Sequence, residues 1–223
     1  MTALRIVAVN AGLSEPSSTR LLVDRMVAAV TEGLGAGRAD VEIVDLRDLV
    51  ADLGQAMTVG FASGRARAAL DAVEGADALI VATPVFNASY SGLFKMFFDL
   101  VDIDAMSGKP VLIGATGGSP RHSMVLDHAL RPLFAYLRAV VLPTGVYAAS
   151  ADWAGAGGDT ASLNDRIGRA AAELVSLLGP RGGTGPGNAG GNGEPPRAPV
   201  ADGRQQAVEA AGIANFARLL GTA

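Results

Sequence analysis

Along the first 178 residues, two kinds of apolar pattern follow each other in turn. Short runs such as Leu4–Asn10 and Ala76–Thr83 are apolar almost throughout and suit strands buried on both faces of a parallel sheet. Other stretches carry apolar residues three or four positions apart, which is typical of amphipathic helices. The predicted strands are Leu4–Asn10, Val41–Leu46, Ala76–Thr83, Pro110–Thr116 and one within Val140–Ala149. The predicted helices are one after Ser17, then Arg65–Val73, Gly92–Val101, Leu126–Leu137 and Leu163–Leu178.

This alternation predicts an α/β fold, a doubly wound parallel sheet with helices on both faces and right-handed crossovers. Five strands favour the flavodoxin-like order 2-1-3-4-5. A chain of 223 residues buries one sizeable core more readily than two. We therefore expect one catalytic domain over residues 1–178.

The remaining residues have a different composition. Residues 179–203 consist mostly of Gly, Pro, Ala and Asn, which cannot repay the entropy of folding, so we predict a disordered linker. Within residues 204–223, the stretch Gln205–Leu220 has apolar residues at helical spacing. We predict a small C-terminal amphipathic helix there.

Composition excludes several functional classes. Cysteine is absent, which removes disulfides, thiolate nucleophiles and Cys-ligated metal sites, so any redox chemistry needs an organic cofactor. The net charge is -4 and the basic residues are scattered, which argues against a nucleic-acid partner. We find neither a signal-peptide pattern nor an apolar run near the roughly 20 residues that span a bilayer. We expect a cytoplasmic protein without membrane or metal.

Three loops follow predicted strands at their carboxyl ends, where open parallel sheets bind ligands. They are Ala11–Thr19, Thr83–Ser91 and Thr116–Ser123, and all are rich in small and polar residues. The first offers hydroxyls and a helix N-terminus, which suit a phosphate monoester but also an ordinary capped turn. The other two have small side chains or glycines that would let a backbone approach a flat ring. Phe86 and Tyr90 either wall that ring or pack beneath the loop.

Familiar catalytic motifs are missing from the strand ends. Neither G-x-G-x-x-G nor the P-loop follows the first strand, and no G-x-S-x-G stands at a strand end, which disfavours classical dehydrogenases, kinases and hydrolases. Arg121 and His122 either contact a nucleotide phosphate or face solvent. His128 lies within a predicted helix, and we expect a packing or interface role for it and no role as a base.

The second loop and the helix after it resemble a known family. Residues 83–95, TPVFNASYSGLFK, resemble the flavin-ring segment of NADPH-dependent FMN reductases, especially those of sulfonate utilisation. The resemblance continues through Asp99, residues 116–118 (TGG) and residues 127–132 (DHALRP), and so covers most of residues 4–150. Within the family the chain is most similar to actinobacterial reductases that supply luciferase-like flavin monooxygenases.

The resemblance implies a function and a set of contacts. The protein would transfer hydride from NADPH or NADH to FMN, as a homodimer or homotetramer whose interface borders the flavin, and would pass reduced FMN to a monooxygenase. No catalytic acid or base is implied, because hydride passes directly between the cofactors. The phosphate would contact Ser14, Ser17, Ser18 and Thr19; the ring and ribityl chain would contact Pro84, Val85, Phe86, Asn87 and Tyr90; the pyrimidine edge would contact Thr116, Gly117, Gly118 and Ser119.

This sequence departs from the family at two places. Glu15-Pro16 replaces the arginine-bearing version of the first loop, which leaves open the hydroxyl that meets the phosphate. His128 stands where relatives can carry Tyr in an interrupted helix that resembles a π-bulge near a subunit interface. We expect His128 to shape that interface without touching the hydride.

Three other functions stay open. The same scaffold could reduce quinones, azo dyes or metal oxyanions, and steady-state comparison of acceptors would decide. A flavodoxin-type electron carrier is disfavoured because such carriers are usually far more acidic than -4. A non-catalytic α/β module assembled through its C-terminal helix has only the linker in its favour.

Overall fold

The computed structural model describes residues 3–153 and 160–179, and within them strands and helices alternate along the chain. The strands are β1 (Leu4–Asn10), β2 (Ala39–Asp45), β3 (Ala78–Phe86), β4 (Ser89–Tyr90), β5 (Pro110–Gly117), β6 (Val140–Val141) and β7 (Val146–Ala149). The helices are α1 (Ser18–Leu34), α2 (Val50–Val59), α3 (Gly64–Glu74), α4 (Gly92–Phe98), α5 (Ile103–Met106), α6 (Arg131–Tyr136) and α7 (Thr160–Leu178).

The strands form one sheet in the order β2-β1-β3-β5, followed by β6 and β7, which both pair with β5. All of these pairs are parallel. The predicted order 2-1-3-4-5 is confirmed, because β6 and β7 together occupy the place of the fifth strand. The predicted number of five strands is corrected to seven in the described residues, since the fifth is split and β4 pairs antiparallel with β3.

Side chains replace the ladder where the fifth strand is interrupted. Pro143 lies in the gap and has no N–H to donate to a ladder. Arg131 donates to the Leu142 carbonyl at 2.7 Å and also to the Pro143 carbonyl. The Glu173 carboxylate accepts from the Thr144 N–H at 2.9 Å and from its hydroxyl at 2.6 Å. Polar groups of the break are thus satisfied by residues from α6 and α7.

The helices differ from the sequence prediction in four places. The short helix α5 was not predicted. Helix α2 was not predicted, because Gly54 weakens a short apolar pattern. The predicted helix Gly92–Val101 ends at Phe98. The prediction of one continuous helix over Leu126–Leu137 is wrong: a π-helical turn over Leu126–Leu130 precedes α6. This turn contains His128 and matches the interrupted helix that the resemblance implied.

The sheet separates two hydrophobic layers. Helices α1 and α7 cover one face, where Leu22 and Met26 pack with Ile6, Ile80 and Leu174. Helices α2 to α6 contribute to the layer on the other face. Both faces of the central strands are therefore buried, which explains their continuous apolar runs.

Three phenylalanines join α4 to α6 in the second layer. Phe94 and Phe98 have ring centroids 4.6 Å apart, and Phe98 and Phe134 lie 5.0 Å apart nearly edge to face. All three side chains are essentially inaccessible to solvent. Edge-to-face packing of this kind contributes beyond the area it buries. The cluster fixes α4, and α4 begins at the end of a loop of the candidate site.

Two further observations concern the extent of the chain. The predicted linker beyond Gly179 and the predicted C-terminal helix over residues 204–223 lie outside the described residues. Among the helices that the structure describes, none combines the length and apolarity that crossing a bilayer would require.

We predict that Phe134→Ala lowers the free energy of unfolding by about 3 to 5 kcal/mol, because it leaves a cavity beside two buried rings. Phe61→Ala is the matched control: Phe61 is 65% exposed, so its loss should change stability by less than about 0.5 kcal/mol. Urea unfolding of both variants measures the difference. Equal effects of the two substitutions would contradict the assigned packing.

Candidate functional site

The first loop, between β1 and α1, is shaped by Asn10 and Gly12. The buried Asn10 side chain accepts from the Gly12 N–H at 3.0 Å and donates to Asp45 at 2.6 Å. Gly12 has no space for a side chain, since a Cβ there would lie 2.1 Å from the Ser17 Oγ. The strand end thus turns tightly, and the loop passes close to the start of α1.

Ser17 caps α1. Its Oγ accepts from the Arg20 N–H at 3.2 Å, as predicted for a hydroxyl at this position. The N–H groups of Ser18 and Thr19 lie in the first turn, where a helix offers no intrahelical acceptor. The Thr19 side chain is buried and bonds the Thr116 Oγ1 at 2.7 Å. Thr19 therefore ties the first turn of α1 to the end of β5.

The second loop is largely a β-hairpin. β3 continues to Phe86, and Val85 and Phe86 pair with Tyr90 and Ser89 of β4. At its tip Asn87 and Ala88 have φ values of 48° and 65°, as a two-residue hairpin turn requires. Asn tolerates this conformation, but Ala does so only with strain. The predicted loop at 83–91 is corrected accordingly; the Asn87-Ala88 pair gave little turn signal.

The base of the hairpin is fixed by hydroxyl groups. The buried Thr83 Oγ1 accepts from the Ser91 N–H at 3.0 Å, and the Ser91 Oγ accepts from the Phe94 N–H at 3.2 Å as the cap of α4. Tyr90 packs on Phe94 with ring centroids 5.8 Å apart. Of the two aromatics singled out in the sequence, Tyr90 thus packs beneath the loop and Phe86 is 47% exposed.

Tyr147 of β7 fixes the third loop. Its hydroxyl donates to the Ser119 carbonyl at 2.7 Å, and burial, with a further contribution from the charge of Asp152, raises the pKa of this hydroxyl. A Cβ at position 117 would lie 2.3 Å from the same hydroxyl oxygen, so Gly117 is required by packing. A Cβ at Gly118 would meet nothing within 4 Å. Gly118 instead leaves open space above the backbone.

A cleft of about 750 Å³ lies among the three loops. Its volume is within the range of small-molecule sites. The described residues that line it are Ser14, Pro16, Ser17, Ser18, Leu21, Pro84, Val85, Phe86, Thr116, Gly117, Gly118, Ser150 and Trp153. Nine of the predicted site residues are thus brought together. Thr19, Asn87, Tyr90 and Ser119 are not among the lining residues.

Charged side chains lie on the other side of the first loop. Arg20 donates to Asp24 at 2.8 Å and also to Asp45, and chiefly its hydrogen bond to Asp24 raises the pKa of Arg20. Arg47 pairs with the exposed Glu15 at 3.1 Å. These residues border an adjoining cleft of about 490 Å³. Because both cations are paired with carboxylates, an anion at the first loop would depend on hydroxyl and N–H donors.

The remaining sequence candidates are exposed. Arg121 and His122 lie in the second half of the third loop, in a 3₁₀ turn over Pro120–Met124, and do not line the cleft. His128 is exposed in the π-helical turn. None of the three is held in the cleft in a position suited to acid–base chemistry.

Sequence reasoning missed six residues of the site. Asn10 and Tyr147 shape loops, and Pro16, Leu21, Ser150 and Trp153 line the cleft. A polar Asn that ends an apolar strand, two residues before Gly12, was an available signal for an Asx turn. Trp153, the single tryptophan of the chain, lies just beyond the carboxyl end of a strand. Tyr147 and Ser150 gave no signal in the sequence, because their place in the site depends on β7 pairing with β5.

Comparisons with known proteins bear on this arrangement. Residues 4–154 match a family model described as NADPH-dependent FMN reductase. The chain is 41% identical over 177 residues to an FMN reductase (NADPH) of Pseudomonas aeruginosa, covering 79% of this chain and 94% of the relative. It is 42% identical over 178 residues to the NADH-dependent FMN reductase SfnF of Pseudomonas fluorescens, covering 79% and 92%. A solved oxidoreductase of Corynebacterium diphtheriae superposes with a TM-score of 0.75 at 50% identity, covering 80% and 98%.

We predict that Gly117→Ala destabilises the protein by about 1 to 3 kcal/mol, because the added methyl group overlaps the Tyr147 hydroxyl. Tyr147→Phe should relieve this overlap, since the next atom of Tyr147 would lie 3.4 Å from the new Cβ. The double variant should therefore be more stable than the two single effects added together. Urea unfolding of the four proteins measures this coupling, and additive effects would contradict the contact.

Proposed function

Because this chain belongs to the NADPH-dependent FMN reductase family, we propose that the cleft among its three loops is the FMN site of an NAD(P)H-dependent FMN reductase. One observation carries the assignment of the site. Loops far apart in sequence converge on one cleft that combines a helix N-terminus, an open glycine and an exposed aromatic ring. These are the elements that a phosphate joined to a flat ring system requires.

The end of the cleft beside α1 fits a phosphate. The hydroxyls of Ser14, Ser17 and Ser18 line it, beside the first-turn N–H groups of α1. Ser17 Oγ uses a lone pair to cap the helix and keeps its proton to donate. Carboxylates are absent from the described residues that line this cleft; those near the first loop border the adjoining cleft. Ser17 and Ser18 would hold the phosphate, and Ser14, whose hydroxyl donates to the Pro16 carbonyl at 3.1 Å, would border it.

The opposite end of the cleft fits a flat ring. Pro84, Val85 and Phe86 provide one side, and Thr116, Gly117 and Gly118 provide another with accessible backbone. Bound FMN supplies the group that accepts hydride. The chain itself binds and orients the two cofactors and limits the access of water between them. We assign no side chain as a catalytic acid or base, because direct hydride transfer needs none.

The destination of the product is part of the proposal. The cleft rim is exposed at Ser14, Ser18 and Phe86, which allows FMN to enter and leave. We propose that the enzyme works in the cytoplasm and supplies reduced FMN to a flavin-dependent monooxygenase. The support is the resemblance of residues 83–95 and 116–118 to reductases of that kind.

We also propose that the chain works as a homodimer or homotetramer. Met124 and Tyr136, at either end of the segment that carries the π-helical turn, are 61% and 72% exposed. Large apolar side chains exposed on one segment favour an interface, and His128 lies between them in the sequence. Analytical ultracentrifugation should show an oligomer at micromolar concentration. A purely monomeric protein would contradict this expectation.

We predict that the purified full-length protein oxidises NADPH or NADH when FMN is added, over many turnovers per enzyme molecule. The decrease in absorbance at the nicotinamide band measures the reaction, and anaerobic bleaching of FMN measures its stoichiometry. A preparation that neither binds FMN nor oxidises either nicotinamide would overturn the proposed function. Consumption of a single FMN equivalent without release would contradict supply to a partner enzyme.

We predict that Ser18→Ala weakens FMN binding by about ten- to a hundredfold, which corresponds to one lost hydrogen bond to a charged group. Riboflavin, which has the ring without the phosphate, should bind unchanged. Ser63→Ala is the control, because Ser63 stands before α3 and makes no capping bond through its side chain. Fluorescence titration gives both dissociation constants. If Ser18→Ala weakened the binding of FMN and riboflavin equally, the assignment of the phosphate to this end of the cleft would be wrong.

A further inference from the structure

We propose that Trp153, backed by Arg25, forms a fourth wall of the cleft and stacks against the flavin ring. This inference rests on the proposed function, since it assumes that a flavin occupies the cleft. It adds a ligand-contacting loop, the one after β7, and assigns Trp153 as a binding residue and Arg25 as a positioning residue.

The register of the sheet brings Trp153 to the cleft. Ala149, the last residue of β7, pairs with Gly117 at the end of β5. A 3₁₀ turn over Ser150–Trp153 follows directly, and both of its terminal residues line the cleft. β7 flanks β5 on the side opposite β3, the strand that carries Phe86. Gly117 and Gly118, at the end of β5, therefore lie between the strand that carries Phe86 and the strand whose following turn carries Trp153.

The turn that carries Trp153 is held from two directions. The buried Asp152 accepts from the Ala149 N–H at 2.7 Å, which closes the turn on β7. Asp152 also pairs with Arg166 of α7 at 3.2 Å, and Arg166 reaches the Tyr147 carbonyl at 3.3 Å. These bonds fix the backbone beside Trp153 before any ligand binds. A wall that is already ordered loses little entropy on binding.

Arg25 fixes the indole ring itself. Its guanidinium carbon lies 4.9 Å from the ring centroid, a cation–π contact, and its Nη1 donates to Asn164 at 3.4 Å. Arg25 follows Leu21 by one helical turn on α1, and Leu21 also lines the cleft. The guanidinium covers one face of the indole, while the half-buried ring still contributes to the cleft surface. α1 thus offers its first turn to the phosphate and its next turn to the support of Trp153.

The chemistry of these walls matches a flat, conjugated ligand. Two aromatic side chains, Phe86 and Trp153, border a backbone floor made of Gly117 and Gly118. An aromatic wall gains contact area and favourable stacking from a planar ring, but little from a phosphate or a ribityl chain. The structure therefore assigns Trp153 to the ring and Ser18 to the phosphate. Loss of Trp153 should then weaken the binding of riboflavin, which has the ring, whereas loss of Ser18 should not.

The test compares two ligands in the full-length protein. We expect Trp153→Leu to raise the dissociation constants of both FMN and riboflavin by about tenfold, because both carry the ring. Trp153→Phe should keep both within about threefold, because it restores an aromatic wall. Phe61→Leu, a loss of an exposed aromatic ring elsewhere, should change neither value. Equal thermal midpoints of the three variants and the wild type would show that folding is unaffected.

The outcomes separate this inference from the proposed function. If wild-type protein binds neither flavin, the proposed function fails. If wild-type protein binds both and Trp153→Leu binds them equally well, only the role of Trp153 is overturned. The same holds if Trp153→Leu raises the KM for NADPH or NADH and leaves flavin binding unchanged, because the wall would then serve the hydride donor.

Arg25→Met tests whether Arg25 supports the indole ring. Because this variant retains Trp153, it also tests the proposal if Trp153→Leu does not fold. We expect it to raise both flavin dissociation constants alike, by about threefold, as an unsupported indole becomes mobile. In a Trp153→Phe background this effect should be smaller, because the cation–π interaction of Arg25 with a phenyl ring is weaker than with an indole ring. An unchanged affinity in Arg25→Met, or an equal effect in both backgrounds, would remove Arg25 from the site.

Discussion

Parallel pairing of β1, β3, β5 and β7 is the constraint on which the rest of the structure depends. Asn10 lies opposite Ala82, Pro84 opposite Thr116, and Gly117 opposite Ala149. All four strands therefore end at one edge of the sheet, and the segments that follow them share one cleft. The hydrophobic layers under α1 and α7, and under α2 to α6, keep this register, because both faces of the central strands are buried.

Polar side chains then adjust the edge that the sheet creates. Asn10 turns the first loop, Thr19 ties α1 to β5, and the Tyr147 hydroxyl supports the third loop from below. Each of these groups is buried and finds its partner within the protein, as buried polar groups must. They leave the Ser18 hydroxyl, the open face of Gly118 and the Phe86 ring for a ligand. The groups that line the site are therefore accessible to a ligand, and the buried polar groups beneath them are already hydrogen-bonded within the protein.

Among the described residues, the carboxylates near the first loop border the adjoining cleft, and none lines the cleft among the three loops. Arg20 and Arg47 are occupied by Asp24, Asp45 and Glu15 on the far side of the first loop. Exposed pairs of this kind contribute little to stability. Their consequence lies in the site, because the phosphate of a ligand would be held by N–H and hydroxyl donors at the start of α1. This agrees with the departure of the first loop from the arginine-bearing version of the family.

The sequence by itself determined the order of the elements, the parallel sheet and the three loops, because burial on both faces and helical periodicity are local patterns. It also indicated nine of the residues that line the cleft. The tertiary structure alone decided the split of the fifth strand, the hairpin at Asn87-Ala88, the burial of Thr19 and the packing of Tyr90 on Phe94. It alone brought Tyr147, Ser150 and Trp153 to the site, because their roles depend on β7 pairing with β5. A contact between strands that are distant in sequence leaves no periodic trace in either of them.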